Sequence, residues 1–330
     1  IYNVLNTIIT SLKTHKFDKQ KLLITKSTVP VGTGKKISTL FENNGIPSSK
    51  IAVLSNPEFL REGSAIYDFF TPERIVIGGE DRAAIQRLKV QYETNLLHEC
   101  PIITTNLETS ELSKYTSNTF LATKISFINE VSNLCEKTGA DIQSISKIMG
   151  LDKRIGKLFL QPGPGYGGSC FPKDVKALIS VANDNDVSMD IAKATQSINT
   201  KQKTIHLKHL YAYYENNLKN KTIGILGISF KPNTDDIREA PSLEIIKELL
   251  QNRCKIKVFD PEALSNLKKV FQEHESNITY CKTLDAVATD TDALILTTEW
   301  NMFRELDLHR IHKLMRVPLF IDLRLVYTTK

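Results

Sequence analysis

The sequence predicts an α/β protein with two parallel-sheet regions flanking a helical centre, and three observations predict it. Short apolar runs bounded by turn residues alternate with helical stretches near both ends of the chain, at Lys21–Thr25, Ile51–Leu54, Lys255–Asp260, Ala293–Thr297 and Pro318–Asp322; this alternation is the mark of βαβ units. Between them, residues 107–149 carry Leu112, Tyr115, Leu121, Ile125, Ile128 and Val131 at helical spacing. The length of 330 residues exceeds what one core fills. The expected organisation is two Rossmann-like parallel-sheet domains, 1–100 and 219–330, around a helical region, 101–218.

Bulk properties narrow the function. Apolar content of 41% and charged content of 24% suit a soluble globular chain. A net charge of +6 is spread over 43 basic and 37 acidic residues without a long basic run, which speaks against nucleic acid as the partner and is compatible with a phosphorylated small molecule. No apolar run approaches the roughly 18 residues of a membrane helix, and no signal peptide is visible. The cysteines, Cys100, Cys135, Cys170, Cys254 and Cys281, are odd in number, scattered and without CxxC pairs. This predicts neither a disulfide framework nor a zinc site, assigns no metal ligands, and points to the reducing cytoplasm.

In order, a helix over Ile1–Lys13 precedes the Lys21–Thr25 strand and the loop Lys26-Ser-Thr-Val-Pro-Val-Gly-Thr-Gly34. A buried strand ending in such a loop before a helix, here Lys35–Asn43, is the usual ligand-binding edge of a parallel sheet; Thr28 there is equally a capping residue. Ile51–Leu54 is a buried strand ended by Asn56-Pro57. Glu58 and Glu62, four apart, would share one face of a helical turn, either as an acid/base pair or as a solvated acidic face. Thr71–Gly78 gives a turn and a strand. In the central helix Lys114 and Asn118 share a face with Leu121 and Ile125, and a second helix, Asp141–Met149, follows Gly139. Ser188 to about Leu218 has no Gly or Pro and reads as one long helix bridging domains. The last region opens at Lys221–Lys231 and adds a helix, Ser242–Gln251. Its Gly224-x-x-Gly227, taken alone, would seat a dinucleotide here with Asp260 on a ribose.

The chemistry concentrates in Gly163-Pro-Gly-Tyr-Gly-Gly-Ser-Cys-Phe-Pro-Lys-Asp174. Four glycines within six residues let the backbone take positive φ and approach a ligand. Pro172 suits the first turn of a helix over residues 172–182. Cys170 then precedes a helix N-terminus with Lys173 nearby, an environment that favours thiolate, and Asp174 lies four residues on. The residues thus read as an activated nucleophile beside a carboxylate.

Those twelve residues, with Ser27-Thr-Val-Pro-Val31, Asn56-Pro-Glu-Phe-Leu-Arg-Glu-Gly63 and Glu111-Leu-Ser-Lys-Tyr-Thr-Ser-Asn-Thr-Phe120, resemble the UDP-glucose/GDP-mannose dehydrogenase family, almost along the whole chain. The resemblance implies an NAD-dependent double oxidation of a nucleotide sugar, with Cys170 holding a thiohemiacetal and then a thioester that water hydrolyses. It implies catalytic roles for Lys114 and Asn118 at the oxyanion, and for Asp174, Glu58 and Thr28 at the water and the reacting sugar. Thr28, Glu62, Lys173 and Arg238 would face the cofactor. Substrate would meet Glu58, Phe59, Leu60, Lys114, Asn118, Phe159, Gly163, Tyr166, Gly167, Phe230, Lys231 and Arg324, with Arg154 reaching the neighbouring subunit's substrate. The last domain would receive UDP rather than NAD, and the central region would form a homodimer. Pro72-Glu-Arg-Ile-Val-Ile-Gly78 and Leu134-Cys-Glu-Lys-Thr-Gly-Ala-Asp141 look more like the branch acting on UDP-glucose than those acting on UDP-N-acetylhexosamines or GDP-mannose. No G-x-G-x-x-G precedes residue 32, so the expectation is an N-terminally truncated cofactor domain, with a non-catalytic UDP-sugar-binding homologue as the alternative.

Overall fold

The computed structural model describes residues 2–15, 17–96 and 99–327. The chain forms two compact units, residues 1–117 with 180–186, and residues 118–179 with 187–330.

The first unit runs α1 (Tyr2–Thr14), β1 (Lys21–Thr25), α2 (Thr33–Asn43), β2 (Ile51–Ser55), α3 (Ala65–Phe70), β3 (Ile75–Gly78), α4 (Arg82–Asn95), β4 (Ile102–Thr105) and the start of α5 (Leu107–Thr138). The sheet order is β1-β2-β3-β4. Every residue of β2 is buried. The strand's period of two sends Ile51 and Val53 to one face, against Leu5, Ile9, Ile37 and Phe41, and Ala52 and Leu54 to the other, against Ile77, Ala84 and Leu88. Both faces are therefore covered, as a doubly wound sheet requires. β1 pairs parallel with β2, and β3 with β4, but β2 meets β3 through one antiparallel pair, Ser55 with Gly78. A parallel crossover needs a helix laid back on the sheet. The connection here offers only α3, whose Ile66, Tyr67, Phe69 and Phe70 are exposed.

The segment after β2 corrects one expectation. Residues 56–61 are irregular, and Glu62 lies in a turn, so Glu58 and Glu62 share no helical face. Pro57 disfavours helical backbone at Asn56, and Glu58 Oε2 accepts instead from the Leu60 N–H at 2.6 Å. Downstream, Asp68 ties the turn together. It accepts from the Arg61 N–H at 2.8 Å and from the Arg61 guanidinium at 2.5 and 3.0 Å. The Arg61 hydrogen bonds hold the Asp68 carboxyl down at about 2, against an ordinary 3.8. A depressed carboxylate pKa stabilises the folded form above its unfolded value and loses that contribution as pH falls through the folded value. We therefore expect the 58–70 turn to loosen between pH 3.8 and about 2, read as faster amide exchange there. Asp68→Asn should show the loosened turn already at neutral pH.

The second unit holds the rest of α5, then α6 (Ile142–Leu151), α7 (Phe171–Asn183, its last residues in the first unit), α8 (Asp190–Ile205), α9 (Leu207–Tyr213), β5 (Thr222–Leu226), α10 (Pro241–Gln251), β6 (Lys255–Phe259), α11 (Leu264–Val270), β7 (Ile278–Tyr280), α12 (Leu284–Ala288), β8 (Ala293–Leu296), α13 (Leu308–Leu314) and β9 (Phe320–Asp322). Its sheet, ordered β7-β6-β5-β8-β9, is parallel throughout. Leu207, Leu210, Ile245 and Leu249 cover one face with Leu267, while Val287, Phe303 and Ile311 cover the other. The expected continuous helix over 188–218 is two, interrupted at His206 and ended at Tyr213, and both lie in this unit. The sequence has no Gly or Pro to mark that interruption; α9 instead follows Leu207 and Leu210 into the sheet's core.

Gly224 also turns out differently. A Cβ there would lie 2.7 Å from Leu294 Cδ1 and 2.8 Å from Val287 O, so the glycine lets α12 pack onto β5. Asp260 is 2% exposed, and its carboxylate is filled by this unit's own donors. Oδ2 accepts from the N–H groups of Ile228 and Ser229 at 2.6 and 3.0 Å and from Trp300 Nε1 at 3.2 Å. Oδ1 accepts from those of Glu262 and Ala263 at 2.9 and 2.8 Å. No lone pair is left for a ribose, which removes the dinucleotide reading of this region.

Candidate active site

Within the second unit the glycine loop is clamped by polar side chains from two helices. Asn129 on α5 accepts from the Gly163 N–H at 2.8 Å, and Gln202 on α8 donates to the Gly163 carbonyl at 2.9 Å. Asn199, one turn back on α8, accepts from the Tyr166 N–H at 2.7 Å and donates to its carbonyl at 3.0 Å. These buried amides satisfy backbone groups that a buried loop would otherwise leave unpaired. The glycines serve this packing as much as ligand approach. At Gly165, with φ 99, a Cβ would sit 2.7 Å from Asn199 Oδ1; at Gly168, with φ 80, it would sit 2.8 Å from the Phe230 ring. Gly165→Ala should therefore cost about 1–3 kcal/mol from a strained φ and a clash, measurable by urea unfolding. An unchanged midpoint would show that the loop relaxes freely.

The loop delivers Cys170 to the start of α7 with its residue exposed, whereas Cys135, Cys254 and Cys281 are buried. Burial pushes the Cys254 thiol up to about 11, and the Cys100 and Cys281 thiols up as well, away from the reactive thiolate. Cys170 Sγ lies 3.6 Å from Ser169 Oγ. One turn along α7, Asp174 is wholly buried. It accepts from Asn118 Nδ2 at 2.6 Å and from Lys173 Nζ at 2.5 Å. The structure thus brings Asn118, Lys173 and Asp174 together, and it gives the Lys173 ammonium a carboxylate partner rather than the thiol the sequence suggested.

At the carboxyl ends of β5, β8 and β9, Arg324 Nε donates to the Thr297 carbonyl at 2.7 Å and pairs with Glu299 at 3.0 Å; its Nη2 donates to the Phe230 carbonyl at 3.2 Å. Lys231 lies 5.3 Å over the Phe230 ring. A Cβ on Gly163 would fall 3.3 Å from Arg324 Nη1. Phe230, Lys231, Arg324 and the glycine loop therefore form one cluster, basic enough for a pyrophosphate. Arg238 pairs through Nε and Nη2 with Asp236, and its carbonyl accepts from the Gly168 N–H at 2.7 Å. Arg154 is exposed and bonded to Asp152, and the Phe159 ring lies 6.1 Å from that of Phe171.

In the first unit, Lys114 is buried on α5, and its ammonium is 3.2 Å from Glu58 Oε1. Phe59 lies under both Lys114, at 5.4 Å, and Arg74, at 4.0 Å. Leu60 follows, bonded back to Glu58. Thr28 is half-buried in the loop after β1, and Glu62 is half-buried in its turn. Sequence reasoning missed Asn129, Asn199 and Gln202; on α8 the buried face is itself polar, with Thr195 and Lys203 beside the two amides, so no apolar stripe marked them.

Three profiles of one family match the chain: its NAD binding domain at residues 2–96, its central domain at 108–201 and its UDP binding domain at 224–329. The chain belongs to the UDP-glucose/GDP-mannose dehydrogenase family. Among relatives, it is 42% identical over 308 residues to a UDP-glucose 6-dehydrogenase of Rhizobium meliloti (strain 1021), covering 93% of this chain and 69% of the relative. It is 44% identical over 307 residues to one from Rickettsia bellii (strain RML369-C), covering 93% and 70%. Its structure resembles that of a UDP-glucose dehydrogenase from Pyrobaculum islandicum, with TM-score 0.85 and 36% identity over 93% of this chain and 68% of that one. A UDP-D-ManNAc dehydrogenase from Pyrococcus horikoshii, at TM-score 0.83 and 22% identity over 99% and 73%, shares the fold. The chain is thus a dehydrogenase by family, and the family's cofactor is NAD.

The start of α2 bears on where that cofactor's phosphates could sit. The N–H groups of Gly32 and Gly34 at the start of α2, where a helix could hold a phosphate, are bonded to the Glu111 carboxylate at 2.6 and 2.7 Å. Burial pushes the Glu111 carboxyl up, against the pull of these N–H groups. This helix start is occupied by the protein's own carboxylate, so the pyrophosphate does not belong there. No helix among the described residues is long and apolar enough to cross a membrane.

Proposed function

We propose that this chain carries the catalytic residues for NAD-dependent, four-electron oxidation of UDP-glucose to UDP-glucuronate. The observation that carries the reading is Cys170, exposed at the start of α7 one turn before the buried Asp174–Asn118 pair, in a chain 42% identical to a UDP-glucose 6-dehydrogenase over 93% of its length. The C6 alcohol is first oxidised to the aldehyde. The Cys170 thiolate adds to the aldehyde carbon, and the resulting alkoxide takes a proton to give a thiohemiacetal. Loss of a hydride and a proton leaves a thioester. Water adds to that carbonyl and the C–S bond breaks, releasing the carboxylate and the thiol. NAD, when bound, accepts one hydride in each oxidation.

Asn118 and Lys114 stabilise the oxyanions in this scheme. Lys114 suits the task because it is a buried cation with a fixed partner, ready without reorganisation. Asp174 orients the hydrolytic water, with Glu58 and Thr28 assisting. Thr28, Glu62, Lys173 and Arg238 contact NAD. Glu58, Phe59, Leu60 and Phe159 hold the sugar, while Gly163, Tyr166, Gly167, Phe230, Lys231 and Arg324 hold the UDP; Arg154 serves the partner subunit's substrate. The three-domain division at about residues 100 and 218 belongs to the same reading. So does a homodimer: Phe120, Phe127 and Leu134 are exposed every seven residues along α5, a stripe that fits a second copy. Phe127→Lys should shift the protein from dimer to monomer in sedimentation equilibrium, and a monomeric wild type would end that part of the proposal. The exposed thiol also suits a reducing cytoplasm.

The substrate is tested by kcat/KM for UDP-glucose, UDP-N-acetylglucosamine, UDP-N-acetylmannosamine and GDP-mannose. The assay uses this chain beside a version extended N-terminally by a Gly-rich βα unit. Preference for UDP-glucose supports the assignment; preference for another sugar transfers the same chemistry to it. Nucleotide-sugar binding with no NAD reduction by either version favours a non-catalytic binding protein.

A further inference from the structure

We propose that Glu136, His206 and His209 form a binding site for a divalent transition-metal ion of the zinc class. Glu136 lies near the end of α5, His206 is the single residue between α8 and α9, and His209 is in the first turn of α9. One ligand atom from each lies within 4.8 Å of the other two. His209 Nε2 is 3.6 Å from Glu136 Oε2. Two donors of a tetrahedral zinc stand about 3.4 Å apart, given bonds of about 2.1 Å, so this pair is nearly in place, and His206, within 4.8 Å of both, must close in. Two imidazoles and one carboxylate suit zinc and its neighbours rather than calcium or magnesium.

The arrangement has further marks of a site. His206 and His209 are three apart, so they project from one side of the helical turn. Gln202 Nε2 lies 3.0 Å from His206 Nε2; an amide N–H only donates, so this bond gives way, or the amide turns its oxygen to the ring, when His206 ligates. The same Gln202 nitrogen holds the Gly163 carbonyl at 2.9 Å, so the ion would sit one side chain away from the glycine loop. Lys208 Nζ now lies 2.5 Å from Glu136 Oε2 and must swing aside; its side chain is 36% exposed and can do so. The scattered cysteines predicted no zinc site, but Glu136 is brought to the histidines only by the fold. Metal binding here is independent of the reaction proposed above.

The test is titration of Zn2+ alone into this chain by calorimetry, in a Cys170→Ser background so that the exposed thiol does not bind the ion. We expect one saturable site, weakened roughly tenfold or more by His209→Ala and by Glu136→Gln. Both residues are exposed, so their variants should keep the parent's urea midpoint. Absence of saturable binding, or binding untouched by both substitutions in folded protein, would overturn the proposal.

Discussion

Cys170→Ser should lower NADH formation from UDP-glucose and NAD by roughly three orders of magnitude or more, as loss of an essential nucleophile does, with nucleotide-sugar binding within a few-fold of the parent. The argument rests on geometry. The residue is exposed at the start of α7, and Ser169 Oγ is the polar atom 3.6 Å from its sulfur, so replacing sulfur by oxygen disturbs no buried contact. The loop's shape is fixed elsewhere, by Asn129, Asn199 and Gln202 on its backbone. Binding and chemistry should therefore separate: calorimetry with UDP-glucose reads the first, absorbance at the NADH band the second. A serine variant that turns over at the parental rate would remove Cys170 from the mechanism.

Asp260→Ala should be among the most destabilising single changes, on the order of 3 kcal/mol or more, because buried donors left without partners each cost about 1–3 kcal/mol. The backbone N–H groups of Ile228, Ser229, Glu262 and Ala263 all end on this carboxylate. They hold the turns after β5 and β6, and Phe230 follows directly. The expected result is a clear fall in the urea midpoint, with Asp260→Asn milder because one oxygen remains. Had Asp260 been a ribose ligand, alanine would leave stability alone and weaken only nucleotide binding. Measuring both decides between the two roles.

Much of the fold was legible because hydrophobic period and turn residues act locally. The strand Lys21–Thr25, the long α5 and the glycine loop leading into α7 all stand where their residues place them. What was not legible depends on partners distant in the chain. The Glu58–Glu62 spacing suggested a helical turn, yet Pro57 and the Glu58–Leu60 bond make the segment irregular. Lys173 was read as serving the thiol, but the buried Asp174 is its neighbour and holds its ammonium. β7, Ile278–Tyr280, is too short to show a period and exists through pairing with β6. Asn129, Asn199 and Gln202 look like ordinary helix-surface amides until the loop is laid across them.

The most direct test of the central claim is the number of NADH formed per UDP-glucose consumed, followed on this chain carrying a Gly-rich N-terminal βα unit. The account predicts two NADH per sugar, UDP-glucuronate as product, and no accumulation of free aldehyde, because Cys170 retains it between the oxidations. One NADH per sugar with aldehyde released into solution would contradict it, and would reduce Cys170 to a bystander of a two-electron dehydrogenase.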